Sequence, residues 1–339
     1  MTDRPILAVT LGDAAGIGPE TVQKALSDRS IYKVCRPLVV GNAQSFFLNA
    51  VGATHASPGQ HPVQKIRPIL NPAQARYRYG TIDVLHIPYE RFGKIRPGAL
   101  SGPSGTVSFW SVEKSIELAM AKLADGVVHA PISKAAWNLA GVKYPGHTEL
   151  IADLCGVKKF AMAIACGPLR TVMVTRHLPI SRVSASLRKA DILSCILLAD
   201  EWMKRLKIRR ARIGVCALNP HAGEKGLIGR EEIRLIEPAI KEARRKISAA
   251  VIGPIPADSA YKDHKAGFLD CLITMYHDQS LIPLKLYDAD RIINITLGLP
   301  FPRTSPGHGT AFDIAGKNRA NPKPMIEAIL TCAKLCREK

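Results

Sequence analysis

Three histidines stand at comparable places in the chain. His177 follows the run TVMVT, His221 follows IGVCALNP, and His277 follows CLITMY. Each run is apolar and β-rich. Each imidazole therefore falls just past the carboxyl end of an expected strand, where open α/β sheets take their ligands. Neutral imidazoles suit zinc and other borderline divalent ions, and three protein ligands with an open position suit a catalytic metal. The long separations between them do not force convergence, and a single histidine at such a place also serves well as a structural or capping residue.

Other residues have the chemistry to hold an anion. Lys285, Asn294 and Arg303 lie in the last third, with Arg303 inside the Pro- and Gly-dense PFPRTSPGHGT. Arginine grips phosphate or carboxylate through two nitrogens, and lysine adds a point charge. His147 and Thr148, in YPGHTEL, open a helix and can offer polar groups, although Thr148 could equally be an N-cap. The glycine-rich GDAAGIGPE lies between a strand and a helix, with Pro19 suited to the first helical turn. Such a loop can approach an anion or simply make a tight turn. It is neither a P-loop, since no GK[ST] follows, nor the dinucleotide GxGxxG. In HGTAFDIAGK, which continues to Asn321, Asp313 can accept hydrogen bonds from ribose hydroxyls or cap a helix.

The elements that must position these groups alternate. ILAVTLG leads into PETVQKAL, and GVVHAPI into SKAAWNLA, which predicts an α/β fold with mainly parallel strands. The 339 residues, 47% hydrophobic, suffice for two cores. Residues 54–103 are rich in Pro and Gly and read as an irregular excursion. No apolar run approaches the ~20 residues that span a bilayer, and the N-terminus has no signal-peptide pattern, so the cytoplasm is expected. Eight scattered cysteines, none in CxxC spacing, predict reduced thiols, mostly buried. The net charge of +19 is dispersed and lacks aromatic interleaving, which argues against nucleic acid and fits an anionic small molecule.

GDAAGIGPE, GHTE, NPHAGE, YHDQ, NITLGLPFPRTS and HGTAFDIAG occur in the order found in the 4-phosphohydroxy-L-threonine dehydrogenase family, which the chain resembles from residue 6 to about 330. The first and last motifs also resemble those of isopropylmalate and isocitrate dehydrogenases. The implied fold is isopropylmalate-dehydrogenase-like α/β, two α/β domains with a cleft. The expected cofactor-side domain is 1–133 plus 288–339, and the metal, substrate and dimerisation domain is 134–287. YPGHTEL and AFDIAGK look somewhat like a branch acting on D-threonate or D-erythronate 4-phosphate.

The resemblance implies a homodimer whose metal site uses His177, His221 and His277 from both subunits, with zinc ahead of magnesium, manganese or cobalt. It implies substrate contacts at His147, Thr148, Lys285, Asn294 and Arg303. It places Asp258, Asp278 and Lys134 near the reacting hydroxyl, and His308, Asp313 and Asn321 at the adenosine of NAD, or less readily NADP. The implied reaction oxidises and decarboxylates 4-phosphohydroxy-L-threonine to 3-amino-2-oxopropyl phosphate. A more distant alternative is a non-catalytic phosphometabolite-binding module. Gly307 stands where aspartate is usual, and Ala14 where proline is common.

Overall fold

The computed structural model describes residues 4–48, 64–144 and 147–337. The chain divides into two compact units, Met1–Val157 with Leu299–Arg337, and Lys158–Gly298. No helix among the described residues is long and apolar enough to cross a membrane.

The first unit contains β1 (Ile6–Thr10), β2 (Arg36–Gly41), β3 (Lys65–Ile69), β4 (Thr81–His86), β5 (Gly126–His129) and β12 (Arg303–Pro306). They run β3-β4-β2-β1-β5-β12, and every pairing among them is parallel. The central strands are buried over nearly their whole length, as strands covered on both faces require. Residues 64–103 depart from the irregular excursion expected of them, because they carry β3 and β4; residues 54–63 lie outside the described part. The proline that obscured β3, Pro68, sits on the sheet's edge strand, where a missing N–H is tolerated.

The second unit contains β6 (Ala161–Cys166), β7 (Leu169–Met173), β8 (Arg212–Cys216), β9 (Ala250–Ile255), β10 (Cys271–Thr274) and β11 (Ile292–Leu297), in the order β11-β6-β7-β10-β8-β9. The pairs β11/β6 and β6/β7 are antiparallel and the rest parallel. The two α/β units accord with the expected isopropylmalate-dehydrogenase-like class.

The divisions fall later than the expected 133/134 and 287/288. Helices Lys134–Leu139 and His147–Leu154 bury Trp137, Leu150 and Ile151 in the first unit's core, with Leu38, Val127 and Phe301. That apolar burial assigns 134–157 to the first unit. At the other boundary, β11 pairs with β6 along six residues and so keeps 288–298 in the second. All eight cysteines are free, and seven are buried. Burial holds the Cys35, Cys195, Cys216 and Cys271 thiols up at about 12, so they stay protonated.

Candidate active site

In the first unit, Arg303 opens β12 and His129 closes β5. Arg303 pairs with Val127, two residues before His129, so both side chains emerge on one face as diagonal neighbours. Both are buried, Arg303 at 1% exposure. Arg303 Nε donates to His129 Nδ1 at 3.2 Å, and His129 Nε2 meets Ser115 Oγ at 3.0 Å. His147, at the start of its helix, stacks on His129 with ring centres 4.9 Å apart and planes 22° apart. Trp137 meets His147 edge-on, and its indole N–H donates to Ser108 Oγ at 2.8 Å. Burial, then the Arg303 charge, holds both imidazoles well below their usual range, so both are neutral. Nε2 of His147 is buried and has no hydrogen-bond partner.

The serines belong to helix Gly102–Met120, where Ser104, Ser108, Ser111 and Ser115 form one buried stripe. Each hydroxyl donates back to a carbonyl three or four residues earlier, so its oxygen remains an acceptor for other elements.

The glycine-rich loop follows β1, the neighbour of β5. Its glycines serve close backbone packing. A Cβ on Gly12 would lie 2.3 Å from Pro131 O, and one on Gly18 2.2 Å from Leu11 O. Asp13 N–H donates to Pro131 O and Ile17 N–H to Thr310 O, both at 2.9 Å. The first and last motifs thus meet directly. Asp13 is fully buried, and burial raises its carboxyl to about 6 against a hydrogen bond from Ala15 N–H.

In the second unit, His177, His277 and His221 follow β7, β10 and β8, three adjacent parallel strands, as their positions in the sequence suggested. Thr175 binds Met275 O through both its N–H and its hydroxyl, which ties the first two loops together. The His177 and His277 ring centres are 5.7 Å apart. Gln279 ties the β10 loop to the β8 loop by accepting from Met275 N–H and donating to Ala217 O. His221 does not join the other two: among the described residues no three His, Cys, Asp or Glu side chains form a metal-holding group. It instead begins a left-handed run, with positive φ at His221, Ala222, Gly223, Glu224 and Lys225. The buried Glu232 carboxylate holds that loop by accepting from Leu218 N–H, Asn219 N–H and Asn219 Nδ2.

The pair His177–His277 fits a metal. Two imidazoles on one ion, with bonds of about 2.1 Å, place their ring centres roughly 5–6 Å apart. Asp278 Oδ1 lies 2.8 Å from His277 Nδ1, which leaves Nε2 as the nitrogen that could coordinate.

The remaining expected residues divide between the units. Thr148, within the first turn of its helix, is buried, and Lys134 is exposed near enough to His147 to depress its protonation. In GHTE, Gly146 lies outside the described residues. Lys285 and Asp258 are exposed on helices of the second unit, and Asn294 on β11 has a buried Oδ1 without a partner. Among the expected cofactor residues, His308 has a buried unpartnered Nε2 and Asp313 is exposed. Asn321 Oδ1 accepts from Lys323 N–H where the last helix begins. His129 was not among the expected residues. Its position at a strand's carboxyl end is the same signal that marked the other three histidines, and the 104/108/111/115 serine spacing marks its support.

Comparison with known proteins agrees with this architecture. A solved structure of 4-hydroxythreonine-4-phosphate dehydrogenase from Klebsiella pneumoniae superposes with a TM-score of 0.88 at 36% identity, covering 99% of each chain. The chain is thus built as an α/β dehydrogenase of this type. The family model for the pyridoxal phosphate biosynthetic protein PdxA matches residues 33–332, and the chain belongs to that family. The 4-hydroxythreonine-4-phosphate dehydrogenase of Desulfosudis oleivorans is 41% identical over 330 residues, 97% of this chain and 95% of that protein. The D-threonate 4-phosphate dehydrogenase of Cupriavidus necator is 38% identical over 332 residues, 98% and 97%.

Proposed function

We propose that the protein is a dehydrogenase that oxidises and decarboxylates a phosphorylated C4 hydroxy acid with NAD as hydride acceptor and a divalent metal. 4-Phosphohydroxy-L-threonine is the leading substrate and D-threonate 4-phosphate the second, because 4-hydroxythreonine-4-phosphate and D-threonate 4-phosphate dehydrogenases are both similar over nearly the whole chain. The observation that carries the reading is the buried Arg303, fixed through Nε beside the unpartnered Nε2 of His147. A buried guanidinium suits a phosphate or carboxylate.

In this reading Arg303, Thr148, His147, Lys285 and Asn294 are the residues that bind the phosphorylated acid. His177, His277 and His221 would hold the metal, completed by a second copy in a homodimer. The bound metal would acidify the substrate hydroxyl and stabilise the charge that develops as carbon dioxide leaves. Asp258, Asp278 or Lys134 takes the hydroxyl proton. His308 and Asp313 face the adenosine of the nicotinamide cofactor, with Asp313 favouring NAD over NADP. Binding far from the reacting carbon supplies orientation.

The test is NADH absorbance with both phosphorylated acids, before chelation and after zinc is restored. Turnover of one acid that is lost on chelation and restored with metal is expected. No nicotinamide reduction with either acid, in protein that binds both, would leave a binding module instead.

A further inference from the structure

We propose that Glu20 and Lys24 are positioning residues that fix the backbone of residues 308–321 in its cofactor-binding shape. This rests on the reading above that those residues face the adenosine of the nicotinamide cofactor, and it gives the glutamate of GDAAGIGPE a task that touches neither cofactor nor substrate.

The segment between β12 and the last helix is a chain of turns. Ile314, Ala315 and Lys317 N–H each bond three residues back, and Ala311, Gly316 and Asn318 are left-handed. Without a helix or strand ladder, such a segment takes its shape from what ties it down. Both ties run to helix Gly18–Leu26 and the residue before it. At the front, Ile17 N–H donates to Thr310 O at 2.9 Å, and Gly16 leaves room for Thr310, from which a Cβ would lie only 2.9 Å. At the back, Ala320 N–H donates to Glu20 Oε1 at 2.7 Å. Lys24 Nζ donates to the same oxygen at 2.7 Å, to Asn318 O at 3.1 Å and to Ala320 O at 3.0 Å. An ammonium has three protons, and each has its acceptor. The side chains are 6% and 14% exposed, so water competes little for either. Ile17, Ala315 and Ala320 close a small apolar core between the ties. Glu before Lys at this spacing is also the favourable order on a helix, so the helix itself sets the pair. Glu20 balances the Lys24 charge, and the ammonium grips two carbonyls without presenting a bare cation. His308 stands two residues before the first tie, Asp313 between the ties and Asn321 one residue after the second. The buried Nε2 of His308 has no partner, and a polar atom of the nucleotide would satisfy it. The cofactor thus meets a backbone already fixed, and little of its binding free energy goes into ordering the loop.

The measurement is calorimetric binding of NAD, and separately of inorganic phosphate, to the full-length protein, paired with KM and kcat for NAD. Lys24→Met keeps the side chain's length and removes its three bonds. It should weaken NAD binding about tenfold and raise its KM by a similar factor, with kcat and phosphate affinity within about twofold. Glu20→Ala should do the same. The conservative Glu20→Gln keeps an oxygen for Ala320 N–H and should recover most of the affinity. An equal loss of phosphate affinity would mean general damage to the fold and would overturn the proposal. Unchanged NAD binding in Lys24→Met would overturn it too, leaving the cofactor reading intact if the double variant His308→Ala, Asp313→Ala binds NAD weakly. If that double variant binds NAD normally, the loop is not the cofactor site and the inference goes with it. A further readout needs no variant. In the wild type without NAD, the Ile17 and Ala320 amides should exchange hydrogen at least about a hundredfold more slowly than an unstructured peptide. Exchange at the peptide rate at Ala320 would show that no clamp exists.

Discussion

The Arg303 group and the His221 loop hold polar residues in opposite ways. Around Arg303 the backbone is regular strand and helix, and order comes from burial and a chain of hydrogen bonds ending at fixed groups. Around His221 the ligand-type side chains are exposed, and order comes from a left-handed backbone clamped by one buried carboxylate. Left-handed conformations cost roughly 1–2 kcal/mol for each residue other than glycine, so that loop holds strain that Glu232 must offset. A binding residue can thus be held by what surrounds its side chain or by what is done to its backbone. The two strategies should fail differently.

The largest effect is expected from Glu232→Ala. It removes the acceptor of the part-buried Leu218 and Asn219 N–H groups and releases the strained loop, and should cost about 3–5 kcal/mol of unfolding free energy in urea titration. A loss under about 1 kcal/mol would show that the left-handed run needs no clamp, and the contrast would collapse. Next is Asp13, which lies beside the same serine helix as His129. Burial raises its carboxyl from the ordinary 3.8 to about 6. The folded state therefore holds that proton more tightly than the unfolded chain. The resulting stability is fully present below about pH 4 and is lost as pH rises through 6, by at most about 3 kcal/mol. Asp13→Asn should remove this slope from melting temperatures measured between pH 4 and 8, and an unchanged slope would refute the assignment.

A smaller effect should follow Arg303→Ala, a loss of about 2 kcal/mol in transition-state binding, or roughly 30-fold in kcat/KM. It sharpens the comparison because the damage should fall on the substrate and leave zinc affinity within twofold. Smallest is Asp313→Asn, which should shift the ratio of kcat/KM for NADP over NAD upward by about tenfold. Because Asp313 is exposed, screening limits the gain. No relative gain for NADP would show that another residue selects the cofactor.

Much of this was legible in the chain. The runs TVMVT, IGVCALN and CLITMY are apolar and stop at polar loops, so their histidines could be assigned to strand ends before their adjacency was known. Arg303 stood out because its loop is dense in Pro and Gly. His129 was harder to see: it ends an otherwise apolar run, and its serine partner, Ser115, lies fourteen residues away in a helix of small residues. Nothing in NPHAGEKG announces five consecutive left-handed residues when only Gly223 among them favours that conformation. The boundary at 157 was obscured because Trp137, Leu150 and Ile151 reveal their allegiance only through the core they enter.

The bond from Ile17 to Thr310 joins residues at opposite ends of the sequence. On the ribosome, the glycine loop emerges long before the residue that fastens it. β12 is also made after the other described strands, and until it arrives β5 has no partner on one side and His129 no arginine to receive. A nascent chain made as far as residue 157 already holds five of the six strands described in the first unit, yet neither its glycine loop nor its arginine pocket can close. Completion of the binding pocket is therefore a late event in synthesis, and a half-made chain has no finished pocket with which to capture its ligand.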